Sequence, residues 1–425
     1  MHVHVAGRAE EARIRYLDGL RGVAALTVLI SHTIMTVIPA IITLQPNDSL
    51  ADPALVQFAI GVGKSPIGLL WNGNSAVCIF FVLSGYVMAD FAAGTRLGFT
   101  AQIVRRYVRL ALPILLISTF AYLLLRFGLF HNAQASKILG SAWLGHWYQF
   151  GPSGRVMAFE ALIGTFLTGS AEYNCNIWTM RTELVGSLYI LTIGAIGRNA
   201  RERAVLYALF GAVFYSEYVL LFVIGALFRE FHGKIHDRAS PTWLPILAFA
   251  IGCYFCSMPD ALPNDPLPWY DLLMPRIFTL DNARYWHSIG ASLLVFGVLH
   301  SFAVQRLFSS TVAQFLGRIS FTLYLMHIPL LCSFTAWLVL LMQGQGVAVI
   351  AAVCFPTTIA VCVVAAALAT PFVDGQAIRI SRQIGKAVDG FISQTKPRSE
   401  AQNTLQPAIV ADTGIQSARS IASGR

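Results

Sequence analysis

The chain has 425 residues, of which 56% are hydrophobic and 12% charged, and its mean hydropathy is +0.62. Soluble domains carry about a quarter charged residues, so this composition excludes a water-soluble globular protein. The formal net charge is +9, but the Lys and Arg residues lie between apolar runs and not in one long tract. We therefore interpret them as determinants of membrane topology and expect no nucleic-acid partner.

Apolar runs long enough to cross a bilayer recur from Val23 to the neighbourhood of Phe372. About 20 residues span the hydrocarbon core, and their backbone groups must bond one another in lipid, which predicts α-helices. Threading these runs with basic loops on the cytoplasmic side gives about ten spans, with both termini in the cytoplasm. The predicted class is an all-α integral membrane protein, a bundle of about ten transmembrane helices in the plasma or inner membrane. In chain order the predicted spans are 20–44, 76–93, 110–130, 177–197, two short spans within 204–228 that turn at Ser216 and Glu217, 243–257, 288–301, 319–341 and 347–372.

The polarity of the chain divides it into three segments. Residues 1–15 are polar and basic, lack the apolar core of a secretory signal, and are expected in the cytoplasm. Residues 16–390 form the predicted transmembrane domain, in which the aromatic, Gly-rich stretch 131–176 is expected on the outer side. Residues 391–425 have no apolar periodicity and predict a disordered cytoplasmic tail. Cys253 and Cys256 form a CxxC motif without a second Cys or His pair, so we expect no metal.

Ionisable side chains inside the membrane are the first candidates for function, because each is costly to bury in hydrocarbon. Arg21 and His32 lie eleven residues apart on the first predicted span. Eleven steps of about 100° return to within about 20° of the same helical face, about 16 Å along the axis. Asp18 precedes Arg21 by three residues, where it can hold the guanidinium. This face predicts a functional role for Arg21 and His32, and the alternative is a histidine that bonds a neighbouring helix for packing.

Arg105, Arg106 and Arg109 stand at the cytoplasmic mouth of the third predicted span. Spacings of three and four residues put two guanidinium groups on one helical face. A guanidinium binds phosphate through paired hydrogen bonds, so the cluster predicts a site for a phosphorylated ligand. The alternative is anchoring alone, because the positive-inside rule also places arginines at this boundary.

Two further groups of polar residues fall within later spans. Glu183 enters the outer half of the fourth span, where a carboxylate can orient an imidazole or share its proton. Its alternative is an ion pair with Arg181, although residues two apart do not face each other on a helix. Tyr324 and His327 lie one turn apart near Pro329, which is expected to kink the helix, and their role is either in binding or in structure.

Five motifs occur in series along the chain. They are the run 15–26 (RYLDGLRGVAAL) followed by His32, the run 80–86 (FFVLSGY), the pair Arg106 and Arg109, the run 178–183 (WTMRTE) and the run 319–327 (ISFTLYLMH). In this order they resemble the motifs of membrane-bound acyltransferase family 3, over about residues 15–382. Thr179 departs from the pattern, since many members have Ser after the Trp.

The resemblance implies a ten-helix domain that takes acetyl groups from cytoplasmic acetyl-CoA and delivers them to hydroxyls of sugars on or beyond the outer face. It implies acyl-CoA, a carbohydrate or glycolipid acceptor and the lipid bilayer as partners, with acetyl-CoA as the donor and no metal. The required Arg and His of the first helix and the paired arginines of such proteins fall here on Arg21, His32, Arg106 and Arg109. Together with the residue patterns this gives three sets of candidates: catalytic His32, Glu183 and Arg21; cofactor-binding Arg105, Arg106 and Arg109; and substrate-binding Trp178, Tyr324 and His327.

The patterns and the resemblance predict one mechanism. Cytoplasmic arginines hold the CoA phosphates, and His32 meets the thioester near mid-membrane, either as general base or by taking the acyl group itself. Glu183, entering from the outer side, is expected to orient His32 or to bind the acceptor. The rival function is a proton-coupled secondary transporter that uses the intramembrane His, Arg and Glu residues. The sequence shows no repeated half, which favours the enzyme.

Overall fold

The structure is a computed structural model that describes residues 2–46, 53–95, 97–213, 218–236, 243–261, 267–271 and 282–395. This part of the chain is helical and contains no β-strand, so the predicted all-α class is confirmed. The expected turn at Ser216 and Glu217 lies outside the described residues, as does the expected tail from residue 396 onward. In chain order the α-helices are α1 (His2–Val37), α2 (Ala40–Thr43), α3 (Pro53–Gly63), α4 (Gly73–Gly94), α5 (Phe99–Arg126), α6 (Asn132–Leu139), α7 (Ala142–His146), α8 (Gly154–Phe159), α9 (Thr165–Leu167), α10 (Trp178–Ile196), α11 (Ala200–Val213), α12 (Val219–His236), α13 (Trp243–Cys256), α14 (Asn282–His300), α15 (Phe302–Phe308), α16 (Thr311–Leu330), α17 (Ala336–Leu341) and α18 (Val347–Thr395).

Several of these helices are long and apolar enough to cross a bilayer, as expected of a multi-pass membrane protein. Within the described ranges there are five: Arg15–Val37, Gly73–Gly94, Phe99–Arg126, Thr311–Leu341 and Val347–Thr395. A sixth results if Ala283–His300 and Phe302–Phe308, which meet at 103°, are taken as one broken span. The predicted count of about ten is therefore not confirmed. One reason is length, since α11 and α13, which lie at two of the predicted spans, have 14 residues each.

The ends of the first and last predicted spans differ from the structure. Helix α1 ends at Val37, and Pro39 separates it from the short helix α2, whereas the predicted span continues to residue 44. Helix α18 continues from Val347 to Thr395, well past the predicted end at residue 372. The first residues of the expected tail, 391–395, are therefore helical. This extension packs on α5, where the backbone N–H of Gly98 donates to Oδ1 of Asp389 (2.8 Å).

The apolar run 204–228 falls on two helices, α11 and α12, although neither is among the helices of the described ranges that are long and apolar enough to span a bilayer. Arg203 donates to both carboxylate oxygens of Glu230, at 2.6 and 2.8 Å. Gly211, near the end of α11, lies against Leu220, near the start of α12. The start of α11 therefore lies beside the later part of α12, and the end of α11 lies beside the start of α12. The two helices are antiparallel.

Helices α1 and α16 run parallel and cross with their backbones in close contact. A Cβ added at Gly22 would lie 2.3 Å from the backbone nitrogen of Gly317, and one added at Gly317 would lie 2.4 Å from the carbonyl oxygen of Asp18. Small residues permit such a close approach between membrane helices. Ten residues beyond the crossing on each helix, about 15 Å along the axis, stand His32 and His327. The crossing therefore brings these two histidines to the same level.

Candidate active site

A cavity of about 670 Å³ lies among six helices, α1, α4, α5, α10, α16 and α18. Small-molecule sites usually have volumes of about 300 to 1,000 Å³. The bundle therefore brings residues of all five sequence motifs to one ligand-sized space. The charged residues of its lining are Asp18, Arg21, Arg106, Arg109, Glu183, Arg318 and Asp374.

Arg106 is fixed to one wall by a network with α10 and α4. Its Nη2 donates to Oε1 of Glu183, and its Nε donates to Oγ of Ser187 at 2.9 Å. Ser84 donates to the same Glu183 oxygen at 2.7 Å. The two charged side chains are only 17% and 13% exposed, so the pair is largely screened from solvent. The expected contact between Glu183 and His32 is not found among the described residues, because the carboxylate is engaged by Arg106 and Ser84.

Arg109 is held by a residue of α18, which forms another part of the cavity wall. Its Nη1 lies 2.7 Å from Oδ1 of Asp374 on α18, and its guanidinium carbon lies 5.5 Å from the ring centroid of Phe321. All three residues line the cavity. Asp374 lies two residues beyond the predicted end of the last span, and the sequence patterns predict no role for it.

Arg21 and Arg105 have different surroundings, although both were candidates. Arg21 lines the cavity with its Nη1 3.6 Å from Oδ1 of Asp18, as the spacing of three residues predicts. Arg105 does not line the cavity, and its guanidinium carbon lies 4.8 Å from the ring centroid of Phe91. Successive helical residues differ by about 100° in direction, so Arg105 faces away from the space that Arg106 and Arg109 share. Its expected part in cofactor binding is not supported by this placement.

His32 and His327 form a hydrogen-bonded pair, with Nδ1 of His32 2.8 Å from Nε2 of His327. Nδ1 of His327 lies 3.1 Å from the carbonyl oxygen of Leu323, which can only accept a hydrogen bond. This assigns the proton of His327 to Nδ1, and its Nε2 then accepts from the Nδ1–H of His32. Nε2 of His32 is left with a lone pair, the arrangement required of a base or a nucleophile.

Tyr324 and Thr179 lie between the cavity and the histidine pair. Their hydroxyls are 3.0 Å apart, and both line the cavity. On the far side, the ring of Tyr324 is centred 6.1 Å from that of His327. Asn176 joins the groups, since its Nδ2 donates to the carbonyl of Tyr324 (2.7 Å) and lies 3.3 Å from Nε2 of His327. His32 itself does not line the cavity.

The family model of the acyltransferase domain matches residues 14–367, most of the chain. The chain belongs to this acyltransferase family. The match confirms the resemblance drawn from the five motifs. The enzymatic activity of the protein is therefore acyl transfer. No solved structure matches the chain.

Three fungal proteins are similar to the acyltransferase over most of its length. An acyltransferase of Phoma sp. is 26% identical over 395 residues, which cover 75% of this chain and 83% of that protein. An acyltransferase of Cochliobolus lunatus is 24% identical over 393 residues, with the same coverage. An O-acetyltransferase of Phomopsis amygdali is 24% identical over 383 residues, covering 74% of this chain and 72% of that protein.

The remaining substrate-binding candidate of the acyltransferase, Trp178, lies apart from the cavity. Its side chain is 40% exposed, and its ring is centred 5.8 Å from that of Tyr218. The next residue on the helix, Thr179, points into the cavity instead. Two residues that the sequence did not single out contact the candidate site: Asp374 beside Arg109, and Trp143 beside His32, with ring centroids 5.1 Å apart.

Proposed function

We propose that the protein transfers an acyl group, acetyl in the simplest case, from cytoplasmic acyl-CoA to a hydroxyl of a carbohydrate or glycolipid acceptor at or beyond the outer membrane face. The observation that carries this proposal is the position of four arginines (Arg21, Arg106, Arg109 and Arg318) in one cavity, one side chain away from the His32 and His327 pair. In this proposal the protein lies in the plasma or inner membrane, with both termini in the cytoplasm.

The donor binds with its phosphates on Arg21, Arg106 and Arg109. Each of these arginines lies beside a carboxylate, which holds the guanidinium in place for the ligand. Arg318 lines the same space without a carboxylate within ion-pair distance among the described residues, and it adds an uncompensated positive charge. The phenyl rings of Phe80, Phe81 and Phe321 supply the apolar wall along which the pantetheine arm runs.

The thioester reaches His32 when the contact between Tyr324 and Thr179 opens. In the direct route, Nε2 of His32 takes the proton of the acceptor hydroxyl, and the hydroxyl oxygen attacks the carbonyl carbon of the thioester. The new C–O bond forms, the C–S bond breaks, and the departing sulfur takes the proton back from His32 to give the free thiol. His327 accepts the Nδ1–H of His32 throughout and stabilises the imidazolium, since its lone pair faces the positive ring.

In the covalent route, the same Nε2 lone pair attacks the carbonyl carbon, and an acyl-imidazole forms as the C–S bond breaks. The acceptor oxygen then attacks that carbonyl, the bond to nitrogen breaks, and the hydroxyl proton passes through the freed Nε2 to the CoA thiolate, which leaves as the thiol. Both routes need the tautomer assigned above, because a proton on Nε2 would block the lone pair. The printed name of the Phomopsis relative, an O-acetyltransferase, supports a hydroxyl as the acceptor and acetyl as the transferred group.

The experiment uses the full chain purified in detergent with acetyl-CoA, and measures thiol release in the presence and absence of sugar acceptors. Transfer predicts thiol release together with an acceptor whose mass rises by one acetyl group. An intact thioester in every condition that preserves the folded protein would contradict the proposal. Acid quenching followed by mass spectrometry separates the routes, because only the covalent route leaves an acetyl group on the peptide that contains His32.

A further inference from the structure

The outer segment that follows α5 is tied to both histidine-bearing helices. Ser141 donates from Oγ to the carbonyl of Met35 (2.7 Å), three residues beyond His32, and its Oγ also accepts from the backbone N–H of Leu144 at the start of α7. The backbone N–H of His131 donates to the carbonyl of Cys332 (3.0 Å), five residues beyond His327. The short helix α7 is therefore fixed relative to the histidine pair.

A side chain of α7, Trp143, lies on the ring of His32. The two ring centroids are 5.1 Å apart, and the planes are within 8° of parallel. The Nδ1 edge of the same imidazole is bound to His327. Both His32 and Trp143 are half-buried, whereas His327 is fully buried. The imidazole is thus fixed by one hydrogen bond at its edge and by one aromatic surface beside it.

We propose that Trp143 is a positioning residue for His32. Its indole fixes the plane of the imidazole, so that Nε2 keeps one direction while Nδ1 stays bonded to His327. It also faces the ring that becomes positively charged when Nε2 takes a proton or an acyl group, and an aromatic face attracts such a charge. This inference rests on the proposed role of His32 in acyl transfer.

Ordinary packing by Trp143 would stabilise the fold without affecting the chemistry, and a matched residue separates the two roles. Trp147 is the next indole of the same segment, centred 5.9 Å from Trp143 in an edge-to-face arrangement. It is half-buried like Trp143, and no ring contact joins it to His32 among the described residues. A change at Trp147 therefore removes a similar aromatic volume without touching the imidazole.

The test compares Trp143→Leu, Trp143→Phe, Trp147→Leu and the wild-type chain in detergent, with acetyl-CoA as the donor. A cation–π contact of typical strength corresponds to about a twofold to thirtyfold change in rate. We expect Trp143→Leu to lower kcat for thiol release by about that factor with an unchanged KM for acetyl-CoA, and Trp143→Phe to restore most of it. Trp147→Leu is expected to lower Tm while kcat stays near the wild-type value. A Trp143→Leu protein with wild-type kcat, or with the same loss as Trp147→Leu, would overturn the proposal.

A second measurement does not depend on activity. Diethyl pyrocarbonate modifies accessible imidazole nitrogens, and the extent at His32 is measured by peptide mass spectrometry. We expect faster modification of His32 in Trp143→Leu than in Trp147→Leu, because only the first change frees the ring. Equal rates in the two variants would show that Trp143 does not constrain His32. If the constraint is present but wild-type protein leaves acetyl-CoA intact, the positioning holds and the proposed acyl-CoA donor is wrong.

Discussion

Arg109 on α5 and Asp374 on α18 form an ion pair on the wall of the cavity, with Nη1 of the arginine 2.7 Å from Oδ1 of the carboxylate. The side chain of Arg109 is 26% exposed and that of Asp374 is 14% exposed. Because the guanidinium is partly accessible, a ligand can displace the carboxylate from it without removing all of its solvent. The pair also joins the two helices that run side by side from the cavity to the contact between Gly98 and Asp389. The proposed donor site and the packing of α18 therefore share this pair.

Removal of Arg106 or of Arg109 is expected to weaken the proposed donor complex. Arg106→Ala or Arg109→Ala should reduce affinity for acetyl-CoA by about tenfold to a hundredfold, because a charge-assisted hydrogen bond contributes about 1.5 to 3 kcal/mol. Arg105→Ala is the matched control, since Arg105 lies on the same helix but outside the cavity. Isothermal titration with acetyl-CoA measures all three. Equal losses in all three variants would point to a general positive field and not to specific phosphate contacts.

The pairing of Glu183 with Arg106 predicts a stability effect that depends on which partner is removed. Glu183→Ala leaves a buried guanidinium without its carboxylate, and we expect the free energy of unfolding to fall by about 3 to 5 kcal/mol. Replacing both residues by Met removes both buried charges and should recover most of the stability, but not donor binding. Thermal unfolding in detergent measures both proteins. If Glu183→Ala unfolded with the wild-type free energy but had a lower kcat, Glu183 would instead have a direct chemical role.

The residue pattern predicted contacts within one helix better than contacts between helices. The spacing of Asp18 and Arg21 predicted their ion pair, because helical geometry fixes neighbours three residues apart. The partner of Glu183, Arg106, lies 77 residues earlier in the chain, and charge alone does not determine which helix supplies it. Of the two roles expected for Glu183, the contact with His32 is not found among the described residues, and binding of the acceptor stays a prediction.

The contact between His32 and His327 had a signal in the sequence besides the five motifs, namely two equally spaced glycines. Gly22 and Gly317 precede their histidines by the same ten residues. Two parallel helices that cross at small residues keep equal spacings at the same level, so the crossing at these glycines specifies the pair. Trp143 had no such signal, because the stretch 131–176 lacks the long apolar periodicity that predicts helices, and its position depends on capping and loop contacts.

The continuation of α18 predicts different outcomes for two truncations. A chain ending at Thr395 should fold and bind acetyl-CoA normally, since the described contacts of α18 are retained. A chain ending at Phe372 loses Asp374 and the contact between Gly98 and Asp389, and should show low membrane levels and weak donor binding. Immunoblots of membranes and acetyl-CoA titration check both. Normal donor binding by the shorter chain would exclude Asp374 and the part of α18 beyond Phe372 from the donor site.

The predicted cytoplasmic termini are tested by reporters fused after Thr395. We expect a reporter that matures only in the cytoplasm to be active and one that matures only outside to be silent, because basic loops stay on the cytoplasmic side. A fusion after Arg126, at the end of α5, is the control and should give the opposite pattern. Activity of the outside-only reporter after Thr395 would place the end of α18 outside and contradict the predicted threading.

The strongest prediction separates the two histidines of the pair. His32→Gln should abolish acyl transfer, with a loss of at least about 10² to 10⁴ in rate, because an amide keeps hydrogen bonds but has no basic lone pair. It should still bind acetyl-CoA, since the arginine contacts begin about 16 Å away along α1. His327→Gln should lose less, because its amide oxygen can still accept the Nδ1–H of His32, whereas His327→Leu leaves that N–H unpaired and should lose more. Thiol release under saturating donor ranks the variants. If His32→Gln turned over at a near-normal rate while His327→Gln did not, the lone pair that does the chemistry would belong to His327, and His32 would be the residue that orients it.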